Sequence, residues 1–217
     1  MRLIRPKFTI EGVYGSAESI ERIGRSCYKS EDKIVEGSAD RFVRNIINRN
    51  HLSVIEHSAM TVRFIIDRGV SHELVRHRLC AFSQESTRYC NYKNEVAFVI
   101  PPWVYIEEGI YRDIPKGLQE INSMVWFQHM LRSEDAYIDL LNHGWSPQEA
   151  RSVLPNSLRT EIVVTANFRE WLHIFELRCS KASHPQMREI MIPLLKECKF
   201  RIPMLREKLE EIERKIR

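Results

Sequence analysis

Glycine-rich phosphate loops are missing from this chain. No Gly-x-Gly-x-x-Gly and no phosphate-loop motif occurs among its 217 residues, so a bound nucleotide must be held by other means. No Gly-x-Ser-x-Gly elbow is present to expose a nucleophilic serine. The five cysteines (Cys27, Cys80, Cys90, Cys179 and Cys198) are scattered, odd in number and lack a Cys-x-x-Cys pair. That pattern fits reduced thiols better than a disulfide framework or a zinc site. The first residues, MRLIRPKFTI, carry no apolar core of a secretory leader, and no run is long enough to span a bilayer. A cytoplasmic chain with no membrane partner is expected.

Metal ligation is also poorly supported. The stretch HELVRH (72–77) places its histidines five residues apart, roughly 500° of helical rotation, so they diverge where a four-residue spacing would converge. Histidines 51, 57, 72 and 77 lack the adjacent aspartate that metal-dependent nucleotide phosphohydrolases pair with histidine. No metal is expected.

What is present is ample core and mild charge. At 43% hydrophobic and 29% charged residues, the chain can bury a real interior. A net charge of +4 is too small to imply nucleic acid, but it suits anionic small molecules. No repeat, low-complexity tract or Gly/Ser/Pro-rich linker divides residues 1–217, so one domain is expected.

Periodicity predicts helices over 16–30 and 38–50, a strand over 59–69 ending at Gly69, and a helix over 70–78 capped by Ser71. Ser16 is followed at the third position by Ser19, not a carboxylate, so its capping box reads as incomplete. A strand follows at 95–101 and a long amphipathic helix over about 115–142. Ser146, Pro147 and Glu149 make a clean start to a helix in 146–155. A strand at 158–167 precedes helices at 168–178, 184–200 and 205–217. The last is charged enough to suggest a solvated end or a subunit contact. With no βαβ alternation, the class is α+β: a central, mostly antiparallel sheet flanked by helices.

The run RHRLCAFSQESTRYCNY (76–92) holds most of the unusual chemistry. Guanidinium groups bind phosphates and carbonyl edges bidentately. Ser86, Thr87 and nearby amides can add short hydrogen bonds to a phosphate, and Arg88 adds charge. Arg76, His77 and Arg78 offer a second anion site. The bland alternative is a basic helix end running into a polar loop. A basic nucleic-acid-binding module is the other functional class, although no dense Lys/Arg patch or RNA-binding motif accompanies the run.

The order Arg76-His77-Arg78, seven residues, then Ser86 resembles the signature of the flavin-dependent thymidylate synthases. HLSVIEH (51–57), ARSVLP (150–155), ANFREWLHIFELR (166–178) and HPQMRE (184–189) are similar to further elements of that family, in the same order. The resemblance implies reductive methylation of dUMP to dTMP. Methylenetetrahydrofolate would be the carbon donor, FAD the flavin and NADPH its reductant, in a homotetramer whose sites several subunits build. No cysteine nucleophile is used in that family, and no Pro-Cys-His motif of the classical thymidylate synthases occurs here.

By the same resemblance Ser86, Thr87, Arg88 and Arg151 would hold the dUMP phosphate. Arg178 would stabilise charge on the uracil edge, and Ser86 would be the second catalytic residue. Arg76, His77, Arg78, Asn167, Arg169, His173, His184, Ser53 and Glu56 would contact FAD, with Arg78 shared with dUMP. His51 would lie toward folate and flavin. Three positions depart from the usual pattern. Gln84 stands where a glutamate is frequent, Glu73 where a glutamine is, and His173 where an asparagine is. Glu73 and Gln84 remain assigned to the nucleotide.

Overall fold

A computed structural model describes residues 1–216. Two sheets are present. The smaller has the order β5-β1-β6, built from β1 (Arg2–Ile4), β5 (Ala97–Val99) and β6 (Gly109–Ile110). β1 runs parallel to β5, with Leu3 opposite Phe98, and antiparallel to β6. The larger has the order β2-β3-β7-β4, from β2 (Lys7–Tyr14), β3 (Ala59–Asp67), β4 (Cys80–Gln84) and β7 (Arg159–Asn167). The class is α+β with mostly antiparallel sheets, in two sheets where one was expected.

β3 and β7 show why these segments are strands. Met60, Val62, Phe64 and Ile66 alternate inward on β3, and Thr160, Ile162, Val164 and Ala166 do so on β7. A strict period of two buries one face of each strand. On the other face Thr61 and Thr165 share a 2.8 Å hydroxyl contact, the kind of cross-strand pair that stabilises a sheet.

Both strands end in the cap of the next helix. Asp67 Oδ1 accepts from the Val70 amide at 2.9 Å and starts α3 (Arg68–Leu74). Asn167 Oδ1 accepts from the Glu170 amide at 2.8 Å and starts α6 (Phe168–Arg178). α6 falls where the sequence put it. α3 does not: it begins two residues early, ends at Leu74, and its cap is Asp67 instead of Ser71. The Arg-His-Arg triplet therefore lies in the turn that leads from α3 to β4, not on a helix.

Two compact units are present. The first comprises residues 1–7, 64–76 and 83–162. Its core gathers Leu3, Phe98, Ile100, Phe127 and Tyr137 beneath α4 (Ile121–Asn142). α4 starts later than expected because Glu120 caps it, accepting from the amides of Asn122 and Ser123. The expected cap at Ser146 is present: its amide donates to Glu149 at 2.8 Å at the start of α5 (Pro147–Ala150).

The second unit comprises residues 8–63, 77–82 and 163 onward. It holds α1 (Ala17–Ser26), α2 (Ser38–Asn48), α6, α7 (Pro185–Arg201) and α8 (Arg206–Ile216). Two expectations change here. The capping box of α1 is complete, because the Ser16 amide donates to Ser19 Oγ at 2.9 Å, so a hydroxyl serves where a carboxylate is usual. α8 is no solvated end: Leu209, Ile212 and Ile216 are buried, and Lys199 of α7 pairs with Glu213 at 2.5 Å.

Candidate functional site

In the second unit, His77 is enclosed at 5% exposure and joins two residues of α6. Its Nδ1 lies 3.3 Å from Glu170 Oε1, and its Nε2 accepts from Arg178 Nε at 2.9 Å. The His173 ring meets it edge-on, with centroids 5.8 Å apart. Burial, the Arg178 charge and His173 together push the His77 pKa down to about 4, so the imidazole is neutral near pH 7. Burial raises the Glu170 carboxyl, and His173 partly opposes that shift.

Glu170 was not singled out from the sequence. It is 6% exposed, although α6 presents it between the exposed Arg169 and the buried Trp171. Buried carboxylates are uncommon unless paired, which makes its position informative. His77, Glu170 and His173 offer ligand atoms within 4.8 Å of one another. The Arg178 guanidinium already occupies one side of the same imidazole, so the group reads as a hydrogen-bonded chain instead of a cation centre.

Next to it is a groove of about 480 Å³ lined by Glu56, Leu79, Asn167, Arg169, Glu170 and His173. Four of these six were assigned to flavin in the sequence. Arg169 Nη1 donates to Glu56 Oε1 at 2.5 Å, tying residues 113 positions apart. Leu79 is 75% exposed, an apolar side chain standing out in an otherwise polar lining. The lining combines one guanidinium, one amide, one imidazole, two carboxylates and an exposed leucine, a mix of polar and apolar groups of the kind that orients a ligand with a ring system.

The upstream element divides between two places. Glu56 lines this groove, whereas His51 and Ser53 line another of about 550 Å³ beside α1 and α2, with Arg25, Lys33 and Arg49. His184 caps α7, its Nδ1 accepting from the Gln186 amide at 3.3 Å. Arg78 is exposed on the turn after His77.

The nucleotide candidates lie in the first unit. Ser86, Thr87 and Arg88 occupy the turn after β4. Ser86 Oγ accepts from the Arg88 amide at 3.3 Å, and Thr87, buried, accepts from Arg151 Nη1 at 3.0 Å. All four expected phosphate ligands are thus linked to a neighbour in the set by a direct bond, and the Arg88 guanidinium rests over the Tyr89 ring. Glu73 is half-buried on α3, and Arg76 is exposed just past its end.

Gln84 has a definite structural task. Its Nε2 donates to Ser71 Oγ at 2.9 Å and to Thr160 Oγ1 at 3.2 Å, fastening the end of β4 to α3 and β7. Ser71 spends its own proton on the Arg68 carbonyl. Gln84 supplies what a carboxylate cannot, two N–H donors.

Three of the five thiols are poorly suited to nucleophilic chemistry. Burial pushes the thiols of Cys80, Cys179 and Cys198 up to about 12, leaving almost no thiolate near neutrality. All five cysteines are free.

The chain is similar to known proteins over most of its length. The family profile described as thymidylate synthase complementing protein matches residues 10–204. A flavin-dependent thymidylate synthase of Geobacter sulfurreducens is 32% identical over 190 residues, covering 83% of this chain and 76% of its own. One from Corynebacterium aurimucosum is 30% identical over 203 residues, covering 90% and 80%. One from Mycobacterium sp. strain KMS is 33% identical over 198 residues, covering 84% and 76%. Among solved structures, the UMP/dUMP methylase PolB from Streptomyces cacaoi bound with 5-Br UMP has the same fold. Its TM-score is 0.77 at 20% identity, covering 98% of this chain and 97% of its own.

Proposed function

This chain belongs to the flavin-dependent thymidylate synthase family, and from that premise we propose that it converts dUMP to dTMP by reductive methylation. Methylenetetrahydrofolate is the proposed carbon donor and NADPH the reductant. The single observation that carries this reading is the groove at the start of α6, where Glu56, Asn167, Arg169 and His173 converge beside His77.

FAD, when bound, supplies the hydride. The chain's own work is positioning and electrostatics. Arg169 and Arg78 offer positive charge to a pyrophosphate, and His173 and the Leu79 side chain offer polar and apolar contact to a ring system. Asn167 keeps its amide nitrogen for a ligand, since its oxygen caps α6.

On the nucleotide side, Arg151 and Thr87 form a ready-made pair for the phosphate, with Ser86 and Arg88 in the same turn. Uracil C5 is a weak nucleophile, so charge must be stabilised on the ring's N3/O2/O4 edge as C5 attacks carbon. A fixed guanidinium provides that stabilisation, and Arg178 is the residue proposed for it. The raised pKa values of Cys80, Cys179 and Cys198 disfavour those three thiols as nucleophiles, and the proposed route uses no cysteine.

The proposed assembly is a homotetramer in which different copies complete one active site. Purified protein is expected to be yellow and to oxidise NADPH in a dUMP-dependent way, producing dTMP in the presence of methylenetetrahydrofolate. UMP serves as the comparison substrate. Colourless protein that takes up no FAD would overturn the reading.

A further inference from the structure

The chain Glu170–His77–Arg178 has a fixed direction of hydrogen bonding. Arginine can only donate, so the 2.9 Å contact from Arg178 Nε requires a lone pair on His77 Nε2. A neutral imidazole with an acceptor at Nε2 carries its proton at Nδ1. That proton faces Glu170 Oε1 at 3.3 Å. Only one tautomer satisfies both neighbours, and an imidazolium, with no lone pair at Nε2, cannot accept from Arg178.

We infer that Glu170 is a positioning residue for Arg178, acting through His77: it accepts the Nδ1 proton and so holds Nε2 as the acceptor that orients the guanidinium. The inference rests on the reading of Arg178 as the residue that stabilises the nucleotide ring. His77 and Glu170 are both buried, so water competes little for either bond. The other titratable groups around the pair are His173, edge-on to His77, and Cys80, whose thiol feels the Glu170 charge. Neither replaces Glu170 as the partner of Nδ1. His77 thereby gains a role beyond the flavin contact proposed for it, since its ring passes the orientation of one α6 residue to another two turns away.

Glu170→Gln separates the roles of shape and acceptor. Glutamine fills nearly the same volume, but its amide can donate to Nδ1 and so favours the opposite tautomer, which cannot accept from Arg178. Histidine-selective ¹⁵N NMR on the FAD-loaded enzyme reads the tautomer directly, with His77→Asn identifying the signal. The expected result is an Nδ1–H imidazole in the wild type and growth of the Nε2–H form in Glu170→Gln. The kcat for dUMP-dependent turnover, expressed per bound FAD, should fall about five- to tenfold, the scale of one lost hydrogen bond, with the KM for NADPH unchanged. Glu170→Asp, which keeps the acceptor, should recover part of the loss.

An Nε2–H imidazole in the wild type would refute the inference even if the variants fail to fold. So would an unchanged kcat in Glu170→Gln, or a fall in kcat with no change of tautomer. A wild type without dUMP-dependent turnover would instead refute the functional reading, because the tautomer measurement judges the linkage by itself.

Discussion

Arg178 donates from Nε to His77 Nε2 across 2.9 Å, so the residue proposed to stabilise the uracil ring is held by an imidazole that must stay neutral. The pKa of about 4 at His77 keeps it so at physiological pH.

Removing the guanidinium tests its role most directly. Arg178→Ala is expected to lower dUMP-dependent turnover by about 100-fold or more, the usual cost of deleting a charge-stabilising group, while FAD remains bound. Steady-state rates and the flavin spectrum of the same preparation check both parts. Loss of FAD with dUMP binding intact would contradict the assignment.

Acid should weaken the fold through His77. Its pKa is about 4 when folded and 6.5 as a free side chain, so between those values the unfolded chain binds more protons. Stability then falls as pH drops from about 6.5 toward 4. Glu170, whose pKa is raised on folding, works in the opposite direction and partly offsets the loss. Urea unfolding at several pH values should show a shallower slope in His77→Asn than in the wild type.

Gln84→Glu restores the carboxylate common in the family, and it should destabilise this chain. Ser71 already gives its proton to the Arg68 carbonyl, so a carboxylate would face its lone pairs. A cost of about 1–2 kcal/mol in denaturant unfolding is expected for the buried mismatch. An unchanged midpoint would show that the surrounding hydroxyls reorient freely.

Asn167→Asp distinguishes two roles of one side chain. The carboxylate still caps α6 and keeps stability within about 0.5 kcal/mol, since Asn and Asp cap almost equally well. The amide donor offered to FAD is lost, so flavin affinity should fall. Titration of apoprotein with FAD, alongside a thermal melt, reports each effect separately.

Cys80 sits inside the Arg-His-Arg to Ser86 run, yet Cys80→Ser should leave turnover within about twofold. Its thiol is pushed up to about 12, and thiol nucleophilicity depends on thiolate. A large loss of rate, or a covalent nucleotide adduct at Cys80 seen by mass spectrometry, would sink the cysteine-free route.

Legibility in the sequence followed the strength of local pattern. β3 and β7 were readable because each alternates over nine residues, and α6 because its cap and length agree. β5 falls inside the strand expected at 95–101, whereas β1, with three residues, and β6, with two, are too short for any period to emerge. α3 was misplaced because Asp67 serves as the last residue of a strand and as a cap at once. The spacing of Leu209, Ile212 and Ile216 was present in α8, but the density of charge around it concealed an inward face. At the site, the motif residues could be named, whereas Glu170 could not. Its importance comes from burial against His77, a residue 93 positions away, and sequence spacing carries no trace of that contact.

The double duty of Asp67 and Asn167 also limits how this protein can change length. Each closes a nine-residue strand and opens a helix, so inserting one residue between 59 and 67, or between 159 and 167, would turn alternate side chains to the wrong face and unseat a cap together. Those two segments act as rulers that tolerate substitution but not insertion. The stretch between β6 and α4, which carries neither constraint, is where additions can be absorbed.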